Sequence, residues 1–81
     1  MYQSSGLIKL ILLTGRDCPL CEEAELLLDN LKGEHLSFVK TDVYSKREYL
    51  DKYWDKIPVI LLEDKELFWP FSIESIQEFI S

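Results

Sequence analysis

The sequence predicts an α/β fold: a four-stranded mixed sheet with helices on both faces, in the order β-α-β-α-β-β-α. Three observations carry this reading. Two short runs, Leu7–Leu13 and Ile57–Leu62, are apolar on both alternating faces, as in strands buried on both sides. An amphipathic helical pattern follows the first run almost at once, so the chain opens as a right-handed βαβ unit. The end of the chain then reads as a hairpin and a helix, which together cover the sheet.

The elements follow in order. Residues 1–6 make a loose start. Leu7–Leu13 is the first strand, broken in its apolar character only by Lys9 and ended by Thr14-Gly15, with Gly15-Arg16-Asp17 as the turn. Pro19 suits the first position of a helix, where its missing N–H costs nothing. Leu20, Ala24, Leu27, Leu28 and Leu31 then form one apolar face. Glu22, Glu23 and Glu25 complement the helix dipole, and Gly33 suits the position after its end. Leu36–Asp42 mixes polar with apolar residues and is expected as an edge strand.

Ser45-Lys46-Arg47-Glu48 has capping-box form, with Tyr44 and Tyr49 in the staple positions. The helix it opens is expected to reach about Trp54 and to bury Tyr49, Leu50, Tyr53 and Trp54. Pro58 can open the third strand or sit unpaired within it. Glu63-Asp64-Lys65 is a turn without glycine, and Glu66–Trp69 the fourth strand. Ser72 caps a last helix with Ile73, Ile76, Phe79 and Ile80 inward.

Eighty-one residues make one domain, 1–81, with enough hydrophobic content (47%) to fill one core without staples. The net charge of −6, from 15 acidic and 9 basic residues, argues against nucleic acid, whose phosphates need clustered cations. No stretch reaches the ~20 apolar residues of a membrane span. The uncharged start has no signal-peptide features. The expectation is a cytoplasmic monomer without membrane contact.

The two cysteines are Cys18 and Cys21, in Cys18-Pro19-Leu20-Cys21. The loop between them is too short to act as a stability staple. At a helix start, unpaired N–H groups and the helix dipole favour a thiolate at Cys18. Arg16 adds to that effect, while Asp17, Glu22 and Glu23 oppose it. Cys21, one turn further in, is placed to resolve a mixed disulfide formed on Cys18. A single-chain zinc site is short of ligands, since His35 is the one histidine and zinc takes about four N or S donors. Three other uses of the pair stay open: a metal or iron–sulfur cluster shared by two Cys18 thiolates in a dimer, an inert buried pair, and a redox-silent binding module.

Over residues 7–80 the chain resembles glutaredoxin-like members of the thioredoxin superfamily. The resemblance rests on the strand before Cys18-Pro19-Leu20-Cys21, the element order, and Ile57-Pro58 before the third strand. It implies a compact thioredoxin/glutaredoxin fold and a dithiol that exchanges disulfides. It also implies a cis Pro58 facing the cysteines, with the backbone before it pairing to substrate as an added strand. Position alone would make Pro58 a strand-edge proline.

The sequence departs from glutathione-dependent members at three places. Leu20 stands where they usually have Tyr. Gly15 stands where they have a basic residue, with Arg16 one step later. Phe68-Trp69-Pro70-Phe71-Ser72 stands where they have a Gly-Gly pair and acidic or polar residues. Two bulky rings there keep glutathione from the backbone approach it makes in the family.

The candidate residues are therefore Cys18 as nucleophile and Cys21 as resolving thiol, with Ile57, Pro58, Arg16, Leu20 and Trp69 as substrate contacts. Phe68, Trp69 and Phe71 read either as an apolar groove wall or as core filling. Arg16 reads as an anion contact or a solvated loop residue. His35, Lys46-Arg47 and the acidic residues at 22–25 read as solvated surface. The expected substrate is a protein or small-molecule disulfide. No tightly bound cofactor is expected, and either glutathione or a reductase enzyme serves as electron donor.

Overall fold

The computed structural model describes residues 7–81; the expected loose start, 1–6, lies outside them. β1 (Ile8–Thr14), α1 (Pro19–Leu31), β2 (Leu36–Asp42), a 3-10 turn (Val43–Ser45), α2 (Arg47–Tyr53), β3 (Val59–Leu62), β4 (Lys65–Phe68) and α3 (Ile73–Ile80) follow one another. The sheet order is β2-β1-β3-β4. β1 runs parallel to β2 and antiparallel to β3, and β3 and β4 form a hairpin. The order and the mixed sheet match the expectation, and β2 is an edge strand.

Alternation along the two central strands builds two cores. Leu10 and Leu12 of β1 and Ile60 of β3 face one side, where Ala24 and Leu28 of α1, Phe71, and Ile76 of α3 cover them. Leu13 of β1 and Val59 of β3 face the other side, against Val43 of the 3-10 turn and Tyr53 of α2. A strand with apolar residues on both faces can lie only between two such layers.

Several local expectations are corrected. In α1 the buried set is Cys21, Ala24 and Leu28, and Leu20 is 42% exposed; Cys21 takes the inward position of the first turn. Gly33 follows the C-cap, Lys32, but does not adopt positive φ. The Ser45–Glu48 capping box does not form. Asp42 accepts the Tyr44 N–H at 2.9 Å and starts the 3-10 turn that consumes Ser45, so α2 begins after Lys46 without a side-chain cap. Tyr44 and Trp54 are 64% and 61% exposed, so neither staples nor fills the core. α2 buries Tyr53, with Tyr49 and Leu50 partly covered.

β1 and β4 are each offset by one residue and β3 begins two residues later, at Val59, while β2 spans Leu36–Asp42 as expected. The β3–β4 hairpin turns on Glu63-Asp64, with Glu63 at φ 57°. In α3, Ser72 does cap: its hydroxyl accepts the Ser75 N–H at 3.1 Å, and Ser75 Oγ accepts the Ser72 N–H at 2.8 Å. Ile76 is fully buried and Phe79 and Ile80 pack at the core edge, but Ile73 faces outward.

Candidate functional site

The end of β1 and the start of β3 meet at one edge of the molecule. Leu13 pairs with Val59, so the next step of the register brings Thr14 beside Pro58. The Ile57-Pro58 bond is cis, as the resemblance implied, and Pro58 is fully buried. The Trp69-Pro70 bond is also cis, which nothing in the sequence reading anticipated.

From Thr14 the chain turns through Gly15-Arg16-Asp17. Asp17 adopts φ 51°, a left-handed conformation that a short polar side chain tolerates. This reversal delivers Cys18 to the N-cap of α1, with Pro19 opening the helix.

Cys18 and Cys21 form a disulfide, with Cα atoms 5.2 Å apart. Pro19 has no N–H to give, and the Cys21 N–H reaches back to Cys18 Sγ at 3.1 Å and to the Cys18 carbonyl at 3.0 Å. Cys21 is 4% exposed, whereas Cys18 is half-buried. The two sulfurs are thus unequal. One is reachable and held at a helix N-terminus, and its partner sits behind it in the core. A disulfide of this kind can pass between an oxidised and a dithiol form.

Gly15 explains one departure noted in the sequence. A Cβ at this position would stand 2.6 Å from Ile57 Cδ1, closer than two carbons approach. The Ile57 side chain occupies the space that a longer residue at position 15 would need. Arg16, one step on, is exposed. Together with Gly15, Asp42, Tyr44, Trp54 and Ile57 it lines a depression of about 500 Å³.

Ile57 also borders a second depression of about 390 Å³, with Asp55, Lys56, Phe68 and Trp69. Trp69 is half-buried and stands edge-on to Phe71, ring centroids 5.0 Å apart. Phe71 is core, while Phe68 is 39% exposed. The aromatic cluster therefore divides between the two roles considered for it.

Sequence reasoning missed Tyr44 and Trp54 here, because both were assigned to packing around α2. It also missed the Gly15–Ile57 approach, which joins residues 42 positions apart and leaves no local signal. His35 is exposed, before β2. No group of three or more potential metal ligands occurs among the described residues.

The described residues with shifted titration lie under α2. Tyr53 donates a hydrogen bond to Glu66, and Lys52 Nζ is 3.5 Å from the same carboxylate. The Tyr53 hydrogen bond, followed by the Lys52 charge, holds Glu66 below its ordinary range. Burial, then the Glu66 contact, raises Tyr53; the neighbouring Tyr53 oxygen and Glu66 charge raise Lys52. This cluster ties α2 to β4.

A four-stranded mixed sheet between helices, with a cysteine pair at the first helix start and a cis proline opening the next central strand, defines a thioredoxin-like redox fold. Within that class the chain belongs to the glutaredoxin-like family: the model of the Glutaredoxin-like domain (DUF836) matches residues 9–81. A solved structural-genomics target protein from X. campestris shares the fold at TM-score 0.73 and 24% identity. The match covers 88% of this chain and 93% of that one. No curated protein matches the sequence. Among the described residues no helix is long and apolar enough to cross a membrane.

Proposed function

We propose that this protein is a thiol–disulfide oxidoreductase acting on protein or small-molecule disulfides, with Cys18 as nucleophile and Cys21 as resolving thiol. The observation that carries the reading is the inequality of the two sulfurs: Cys18 reachable at the α1 N-terminus, Cys21 buried one turn behind.

In the dithiol form, a donor such as the Cys21 N–H and the N-terminal end of the helix dipole favour thiolate at Cys18. The thiolate attacks one substrate sulfur, and the substrate S–S bond breaks. The departing thiolate takes a proton from water. Cys21, deprotonated to solvent, then attacks Cys18 Sγ and breaks the mixed disulfide, and the second substrate thiolate leaves. Two electrons pass from the protein's two thiols to the substrate disulfide, and Cys18–Cys21 is the product. No bound cofactor takes part. On this reading the backbone at Ile57, before cis Pro58, takes an extended substrate segment that pairs as an added strand; Arg16 and Trp69 line the depressions Ile57 borders, and Leu20, exposed on the first turn of α1, is the further contact assigned.

A reductase enzyme or glutathione returns the protein to the dithiol form, and the setting is a cytoplasmic monomer. Wild-type dithiol protein is expected to reduce a model disulfide stoichiometrically, with Cys18→Ser inert. Equal turnover by that variant would overturn the proposal. Comparing glutathione with a thioredoxin-reductase-type enzyme as donor identifies the reductant.

A further inference from the structure

A third depression, of about 630 Å³, runs along the outside of α1 and meets the start of α3. Leu26 and Leu27 from α1, with Trp69, Phe71 and Ile73, supply its apolar lining, and Glu23 and Glu74 line it as well. Leu26 is 64% exposed and Ile73 37% exposed. Both line one depression between two helices, and an apolar patch rimmed by polar groups is the kind of surface that marks an interaction site.

The groove is linked to the proposed substrate path by shared lining residues. Trp69 borders both this groove and the depression beside Ile57, and Ile57 in turn borders the depression holding Arg16. Glu23 lies five residues past Cys18, the N-cap of the same helix, so its backbone stands roughly 7–8 Å along the helix axis from that of Cys18. A chain laid against Ile57 and continuing past Trp69 enters it.

Its charge is one-sided. No cation lines the groove, whereas two carboxylates do. Neither Glu23 nor Glu74 is among the residues forming ion pairs in the described part of the chain. The depression on the other side of Ile57 carries Arg16 with Asp42 instead.

Building on the exchange reaction above, we infer that the substrate is an extended peptide segment of a protein, whose apolar side chain enters the α1–α3 groove flanked by Lys or Arg that meet Glu23 and Glu74. An apolar anchor supplies affinity, and the charges beside it supply selectivity.

The test uses the reduced full-length protein and two synthetic peptides. Each has one cysteine in mixed disulfide with a thionitrobenzoate reporter and a leucine several residues away, flanked by lysines in one peptide and by glutamates in the other. The expected result is a second-order rate about tenfold higher for the lysine peptide at low salt, the modest end of electrostatic steering. The ratio collapses at high salt and inverts in the E23K/E74K variant.

Equal rates for the two peptides, or a ratio unchanged in E23K/E74K, overturn the inference. A stable dimer in sedimentation, dissociated by Leu26→Ser or Ile73→Ser, also overturns it by assigning the groove to a second copy. Neutral dithiodipyridine, read through its released thiopyridone, separates the two levels. Cys18-dependent exchange with it alongside equal peptide rates removes the groove assignment alone. No Cys18-dependent exchange removes the oxidoreductase reading, and the groove assignment with it.

Discussion

Two helix starts, those of α1 and α3, solve the same problem differently. Each must satisfy backbone N–H groups that have no partner within the helix. At α3 the solution is closed: Ser72 and Ser75 exchange hydrogen bonds, and each backbone N–H receives a hydroxyl oxygen. At α1 the acceptor is a sulfur, Cys18 Sγ, and its donor is Cys21, the residue to which it is covalently bound. Neutral sulfur is a weak acceptor. The α1 start therefore gains most when that sulfur becomes an anion. On the proposed function, α3 uses its cap for stability, whereas α1 holds its cap for chemistry.

The strongest way to break this contrast is Cys18→Ser. Serine is a better N-cap than a neutral thiol but cannot form a disulfide. Exchange is expected to fall to background, while thermal stability stays equal to or slightly above that of the reduced wild type. A clear loss of stability against that reference would mean Cys18 holds the helix together, and the contrast would go.

Next in size is Gly15→Ala. The added Cβ meets Ile57 Cδ1 at 2.6 Å, and the isoleucine must turn away. Overpacking of this kind costs about 1–3 kcal/mol, toward the low end because the methyl terminates a flexible side chain. The Cys18-dependent exchange rate should fall as well, since Ile57 borders the proposed substrate path. A variant as stable and active as wild type would show that Ile57 is not held there.

Ser72→Ala removes the closed cap at α3 and is expected to cost about 1 kcal/mol, measured by denaturant midpoint in the oxidised and reduced forms alike. A cost that depends on redox state would tie the two helix starts together.

The acid limb of the stability curve examines a third anchorage. Glu66 is held below its ordinary range in the folded protein. Its contribution is full above the unfolded-state value and is lost as pH falls through the folded one. Tyr53→Phe should flatten that limb. Because Tyr53 and Lys52 are raised, wild type also loses their contribution as pH rises through their raised values. An acid limb identical in Tyr53→Phe would mean the hydrogen bond does not couple.

The smallest effect is at the other end of α1. A Cβ on Gly33 meets nothing within 4 Å, and its φ is not positive. Gly33→Ala is therefore expected to stabilise by about 0.4–1 kcal/mol, by narrowing the unfolded ensemble. Destabilisation would point to a use for that glycine which its conformation does not reveal.

Legibility from sequence followed the range of the interactions concerned. β1 and β3 were readable because their neighbours dictate both faces at once. Ser72 was readable as a cap, and Pro19 as a first helical residue, because each acts within one turn. Ser45 shows the limit of local motifs. Its spacing to Glu48 was right, yet Asp42, three residues earlier, claimed the turn first. Tyr44 and Trp54 show a second limit. Large aromatic residues beside a helix read as core, yet these two stay exposed while Tyr53 takes the buried place against Leu13 and Val59.

The residues alone determined the sandwich of helices on a doubly buried sheet, the place of the cysteine pair at a helix start, and the net charge that argues against polyanions. These are consequences of periodicity, chain stiffness and composition, which act over a few residues or over the whole chain. Tertiary structure decided which sulfur is reachable, that Ile57 fills the space above Gly15, and that Trp69 borders both the depression beside Ile57 and an apolar groove lined by Glu23 and Glu74. Each of these depends on surfaces from elements distant in sequence meeting at fixed separation. Steric exclusion and the placement of like charges in one groove have no existence until the sheet has brought those elements together.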